Sequence, residues 1–122
     1  MANVVTDVGL GLITALLAAS THKYLSWGTD DTAANVTDTA LGTESAEDRT
    51  TGSQSQVTTT TADDTYQVTG AITATDTRAI VEHGVHSADD AGSLLGHAVF
   101  TVVNLVADDS ITFTDKFVLD QA

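Results

Sequence analysis

Cysteine and proline are both absent from the 122 residues. The first absence excludes disulfides and thiolate metal sites. The second excludes proline-rich linkers and polyproline segments. Positive charge is almost missing, with only Lys23, Arg49, Arg78 and Lys116 to carry it. So few cations cannot neutralise a run of phosphates, which excludes direct nucleic-acid binding. Aromatic residues are scarce, and Trp27 is the sole tryptophan. There is no long hydrophobic run either. The apolar stretch 9–20 falls short of the roughly 20 residues a membrane-spanning helix needs, so no membrane insertion is expected. No basic residue precedes that stretch, and Asp7 stands where the basic region of a secretion signal would lie.

What is abundant is acid. Seventeen carboxylates face four bases, a formal net charge of -13. At ordinary ionic strength such a chain repels itself. At about 1 M salt the Debye length shrinks to about 3 Å and the repulsion is screened. The composition therefore suits a halophilic setting. High charge can also mean disorder, but 42% of the residues are hydrophobic, and they recur periodically. The expectation is one folded domain over 1–122, of a size that needs no staples.

Along the chain, Thr6 and Asp7 are candidate N-caps. Val8, Leu12, Ile13, Leu16 and Leu17 then fall on one broad helical face, predicting a helix within 1–22. Gly9 and Gly11 weaken it by about 1 kcal/mol each, so packing must support it. A short strand is expected at Lys23–Trp27, followed by a long ordered loop to residue 48 that Ala40 and Leu41 could pin. Long loops in compact domains are usually functional or interfacial.

From residue 49 the period becomes two. A polar edge strand follows Arg49. Tyr66, Val68, Gly70, Ile72 and Ala74 line one face of a strong strand. Ala79, Val81, His83 and Val85 alternate with Ile80 and Glu82. Residues 94–105 are apolar on both faces, which predicts a central strand or one that meets a partner. Asp108-Asp109 reads as a hairpin turn before Ile111, Phe113, Phe117 and Leu119. The 22 threonines favour strands. The expected fold is mostly β: a small sandwich or barrel of five to seven antiparallel strands over 49–122, with one N-terminal helix and a strand and long loop at 23–48.

Residues that could carry chemistry are few. Asp30, Asp31, Asp63 and Asp64 are weak calcium candidates, because oxygen-rich turns can hold that ion. The calcium-loop pattern is missing, and turn aspartates commonly bond local backbone instead. His83 and His86, three apart on a strand, point to opposite faces, so they make poor co-ligands. No nucleophile elbow, metalloprotease helix or dinucleotide loop is present. No catalytic residue and no cofactor are expected. Asn35-Val36-Thr37 is a glycosylation triplet in a loop. Trp27 reads as a core or interface anchor, or as a platform for stacking sugar.

Three stretches carry a resemblance: KYLSWGTDDTAANVTDTALGTE (23–44), TADDTYQVTGAITATDTRAIVEHGVH (61–86) and AVFTVVNLVADDSITFT (98–114). Their order resembles that of small virion structural proteins from tailed phages and haloarchaeal tailed viruses. In that family a Trp-Gly-Thr-Gly turn is usual; here Asp30 replaces the second glycine. A Glu-Ala-Gly step is also usual; here it is Glu82-His83-Gly84. The resemblance implies a non-enzymatic subunit on the particle exterior, as a capsid decoration or turret protein. The expected partners are copies of itself, as a trimer or pentamer, and the major capsid protein or tail proteins. Leu12, Ile13, Leu16, Leu17 and Trp27 are the expected interface. A tail, baseplate or fibre component in host adsorption, or a sugar-binding β-sandwich module, are the rival readings.

Overall fold

The computed structural model describes residues 1–120. One helix, α1 (Asp7–Ala18), precedes seven strands: β1 (Tyr24–Gly28), β2 (Thr50–Thr51), β3 (Ser53–Val57), β4 (Thr65–Thr73), β5 (Arg78–His86), β6 (Leu94–Leu105) and β7 (Ser110–Val118). They form two antiparallel sheets. The first, sheet A, has the order β2-β1-β5-β6, and sheet B has the order β3-β4-β7. This is the expected mostly-β sandwich with a single helix.

The core lies between the sheets. Leu25 and Trp27 from β1, Ile80 and Val85 from β5, and Leu105 from β6 meet Tyr66, Val68 and Ile72 of β4 and Ala74 just beyond it. Phe113 and Phe117 of β7 pack against the same cluster. The alternation in β4 holds to its end, because a strand whose one face is buried cannot slip by one residue without turning its apolar set to solvent. Trp27 is 1% exposed. Of its expected roles this is the core anchor, and the interface and sugar-platform alternatives are corrected: its ring is committed to the monomer's own core, and its indole Nε1 donates to Glu47.

Other expectations are corrected as well. β6 is not central; it is the outer strand of sheet A, and Val102 and Val103 are exposed on it. Asp108-Asp109 is not a hairpin turn. β6 pairs with β5 and β7 pairs with β4, so the connection arches from one sheet to the other. The β4–β5 connection makes the same crossing, and the two arches are bonded through Asp108 N–H to Ala74 O and Ala74 N–H to Asp109 O, both at 2.8 Å. In β5 the alternation breaks at a register shift between Ile80 and Glu82. Such a bulge re-aims side chains. Ile80, His83 and Val85 are buried on the core side, where His83 stacks on Phe113 of the opposite sheet, while Ala79 is exposed.

α1 packs on β3 and β4. Thr6 caps it, its Oγ1 accepting from Gly9 N–H at 3.0 Å. The buried side is Leu10 and Thr14, with Leu17 and Ala18 reaching the core. Thr14 Oγ1 donates to Asp63 O at 2.7 Å, and Gln56 Nε2 donates to Gly11 O at 2.8 Å. The helix is therefore anchored by polar side chains as much as by apolar ones. Its outer side carries Val8, Leu12, Ile13 and Leu16, all exposed. Leu17 does not share that face as expected; at about 100° per residue it falls with Leu10 and Thr14.

Trp27→Ala removes a large side chain from a closed core, so it should lower unfolding free energy by about 3–5 kcal/mol. Leu12→Ser should change it by less than about 0.5 kcal/mol. Chemical denaturation in high salt, followed by circular dichroism, checks the contrast.

Candidate functional site

The chain leaves β1 at Gly28 and wanders through 29–48 before β2, with one bridge, Gly28 to Glu44, on its way back. Its departure and return are held together by one carboxylate. Glu82 pairs with Gly28 across β1 and β5, so it stands beside the point where the loop departs. Its Oε2 accepts from Asp30 N–H at 3.0 Å and Thr43 N–H at 2.8 Å. Its Oε1 accepts from Gly42 N–H at 2.9 Å and lies 3.0 Å from His97 Nε2. Glu82 is completely buried. The loop passes so close that a methyl group at Gly28 would run into Thr43 O and the Glu82 carboxylate.

His97, on β6, extends the network. Its Nδ1 lies 2.7 Å from Asp38 Oδ2, which also accepts from Asn35 N–H at 2.8 Å. Burial works against the His97 imidazolium, but its hydrogen bonds to Asp38 and Glu82 outweigh that and raise its pKa. The Asn35 N–H and then His97 hold the Asp38 carboxyl below its ordinary range. On the same outer face of sheet A, Ser26 Oγ and His86 Nε2 are 2.6 Å apart. Burial, with Arg49 nearby, pushes His86 down to about 4. Leu41, 8% exposed, closes the loop over this layer as expected; Ala40 stays exposed.

The far end of the loop is tied by arginines. Arg49 grips both Glu44 oxygens at 3.0 and 2.9 Å and donates to Ala88 O and Ala91 O in the β5–β6 turn. Arg78 Nε bonds Glu47 at 3.0 Å. Every one of these groups has a structural partner, and both ring nitrogens of His97 are occupied by carboxylates. The arrangement holds a loop.

The calcium candidates sit in two separate turns. Asp64 Oδ1 accepts from Thr59 N–H and Thr65 Oγ1, and its Oδ2 accepts from Thr60 and Thr61 N–H. Those bonds, led by Thr61, hold its carboxyl far below the ordinary range. Asp63 takes a left-handed backbone with φ 56°. Asp30 Oδ1 accepts from Thr32 N–H at 2.8 Å, and Asp31 is exposed beside it. Among the described residues no three side chains of ligand type converge. His83 and His86 do leave β5 on opposite faces: His83 Nε2 meets Asp115 of sheet B at 2.7 Å, and His86 meets Ser26. Asn35 Oδ1 accepts from Thr37 N–H and Oγ1 in an exposed turn.

Of the expected interface, Leu12, Ile13 and Leu16 are presented to solvent, at 63%, 40% and 73% exposure. Val4, Val5 and Val8 extend the patch, which contains no charged side chain except Asp7 at its margin. An exposed apolar surface of this continuity marks an interaction site more often than chance exposure does.

Asp38, Glu82, His97 and Asp115 do not stand out as site residues in the sequence. One signal is there for Glu82: it is the lone acid between apolar residues of a strand, and such a residue needs partners when buried.

Comparison with known proteins finds no matching family model, no matching curated protein and no matching solved structure. The resemblance to virion proteins thus rests on the three sequence stretches alone.

Glu82→Gln keeps the size but places an amide where only acceptors fit. It should cost about 3–5 kcal/mol, read from denaturation in high salt. Asp64 has a lowered folded pKa, so its contribution is full above the unfolded value of 3.8 and fades as pH falls below it toward the folded value. The stability gap between wild type and Asp64→Asn should therefore be constant from about pH 5 to 8 and narrow below about pH 4; a gap that widens in acid would contradict the assignment.

Proposed function

We propose that the chain is a non-enzymatic structural subunit of a virus particle's exterior, a capsid-decorating or turret protein of a halophilic tailed virus. The observation that carries the assembly part is the exposed apolar face of α1. A chain of net charge -13 can bring copies together only where charge is absent or screened, and this face is the uncharged, apolar one. The other face of the helix is fastened to sheet B, so the presented side is held rigidly, which lowers the entropic cost of association. The virion part rests on the resemblance. Two of its signature stretches, Trp27–Asp30 and Glu82–Gly84, are paired neighbours, with Trp27 opposite His83 and Gly28 opposite Glu82. They form the base of the loop network, a scaffold role that agrees with motifs lacking catalytic content.

The oligomer is a trimer or pentamer of this chain seated on the major capsid protein. Attachment to the tail is the second reading. Copy number separates them, since a shell decoration is present in hundreds of copies and a tail component in few. The sugar-binding reading loses its platform with the burial of Trp27.

Sedimentation velocity in 3 M KCl should show a closed oligomer for wild type. Leu12→Ser with Leu16→Ser should give a monomer with an unchanged unfolding transition. A monodisperse wild-type monomer would sink the self-assembly reading. Immunogold labelling of purified particles should scatter over the heads; gold confined to tails would favour the adsorption role, and unlabelled particles would remove the virion assignment.

A further inference from the structure

His97 makes two contacts that only its doubly protonated ring can satisfy. Its nitrogens lie 2.7 Å from Asp38 Oδ2 and 3.0 Å from Glu82 Oε1. Ionised carboxylates only accept hydrogen bonds, and a neutral imidazole has one N–H to give. Once the ring loses a proton, a lone pair faces a carboxylate oxygen at one of the two contacts. Glu82 cannot be the one to move, because three backbone N–H groups hold it and it is fully buried. Asp38 sits on the loop with 27% of its side chain exposed. Asp38 is the partner that leaves.

From this geometry we propose that residues 32–38 form a pH-gated flap, latched to the sandwich through Asp38–His97–Glu82 and released when His97 gives up a proton. The flap lies over a cleft of about 340 Å³ whose floor is Leu94, Leu95, Gly96 and His97 and whose roof is Ala34, Asn35, Val36 and Asp38. Release opens this cleft beside the edge strand. The anchors on either side stay in place, since Asp30, Gly42 and Thr43 hold Glu82 through backbone groups that do not titrate.

The charges around the ring favour opening. Asp30 and Asp38 approach from the loop; Glu82, His83 and His86 from β5; Asp115 and Lys116 from β7, across a cleft shared with His97. Without the imidazolium, Asp30, Asp38 and Glu82 face one another with no cation bonded among them. The direction of the pH response follows. The folded His97 pKa lies above its ordinary 6.5. The latch is therefore fully formed below 6.5 and is lost as pH rises through the folded value. His86, pushed down to about 4, stays neutral throughout that range.

The absence of native cysteine permits a direct test. Spin labels at Val36→Cys on the flap and Thr101→Cys on β6, both exposed positions, report their separation by pulsed electron resonance. The full chain is measured in 3 M KCl from pH 6.0 to 9.5. The expected result is loss of most of the short-distance population on the alkaline side. Its midpoint should match the His97 ring titration followed by NMR in the unlabelled chain. Added to the same doubly labelled chain, His97→Gln should give one distribution at every pH. Asp38→Asn should lose the parent's transition, because a neutral amide neither pairs as an ion with the protonated ring nor repels the neutral one as a carboxylate does. A distribution in the parent that does not change with pH overturns the proposal. So does a transition that persists at the same midpoint in Asp38→Asn, the variant that decides the matter if His97→Gln does not fold.

Discussion

The buried carboxylate of Glu82 is the point on which the long loop 29–48 depends. A loop of this length has its own backbone donors to satisfy and little apolar surface with which to hold itself down. One acid, placed on a central strand of sheet A, collects three of those donors and a histidine. The loop's departure and return are thereby fixed at the same spot, and Leu41 is delivered to the outer face of the sheet. Burying a charge is costly unless it is fully bonded, and here it is. The cost and the order of the loop are two sides of one arrangement.

Around that anchor, two surfaces of the described residues stand out. One is the outer side of α1, apolar and uncharged. The other is the edge formed by β6 and β7. The two edge strands differ in how they are protected. β7 turns Asp115 inward to meet His83 and sets Lys116 outside, the sort of charge placement that discourages edge-to-edge pairing. β6 has no Asp, Glu, Lys or Arg from Leu94 to Val106 and relies on its register shift and on the loop residues beside Leu94 and His97. The proposed assembly face and the proposed latch thus lie in different parts of the molecule, one on the outer side of α1 and the other in the cleft beside β6.

Much of the fold is legible from period alone. β4 can be read residue by residue because a half-buried strand must alternate. The polar β3 reads as an edge because a central strand could not carry Ser and Gln on both faces. The helix is legible through its cap and its spacing, yet its inward side is not. All its apolar residues look equivalent, and what selects Leu10, Thr14 and Leu17 is the position of Asp63 and Gln56, residues far along the chain. β6 misleads for a related reason. Apolar residues on both faces signal burial, but an edge strand next to a cleft shows the same pattern.

By itself the sequence determined the class of the fold, the absence of disulfide staples, the single helix and the strong net negative charge, because composition and periodicity act through local geometry and net charge. The tertiary structure alone decided the rest. It joined the sheets through arches instead of a hairpin, switched the face of β5 at a bulge, sent Trp27 into the core, and brought Asp38, Glu82 and His97 together across 59 positions of sequence. Those outcomes depend on which strands pair and in what register, and pairing is a contest among distant segments that no local pattern records.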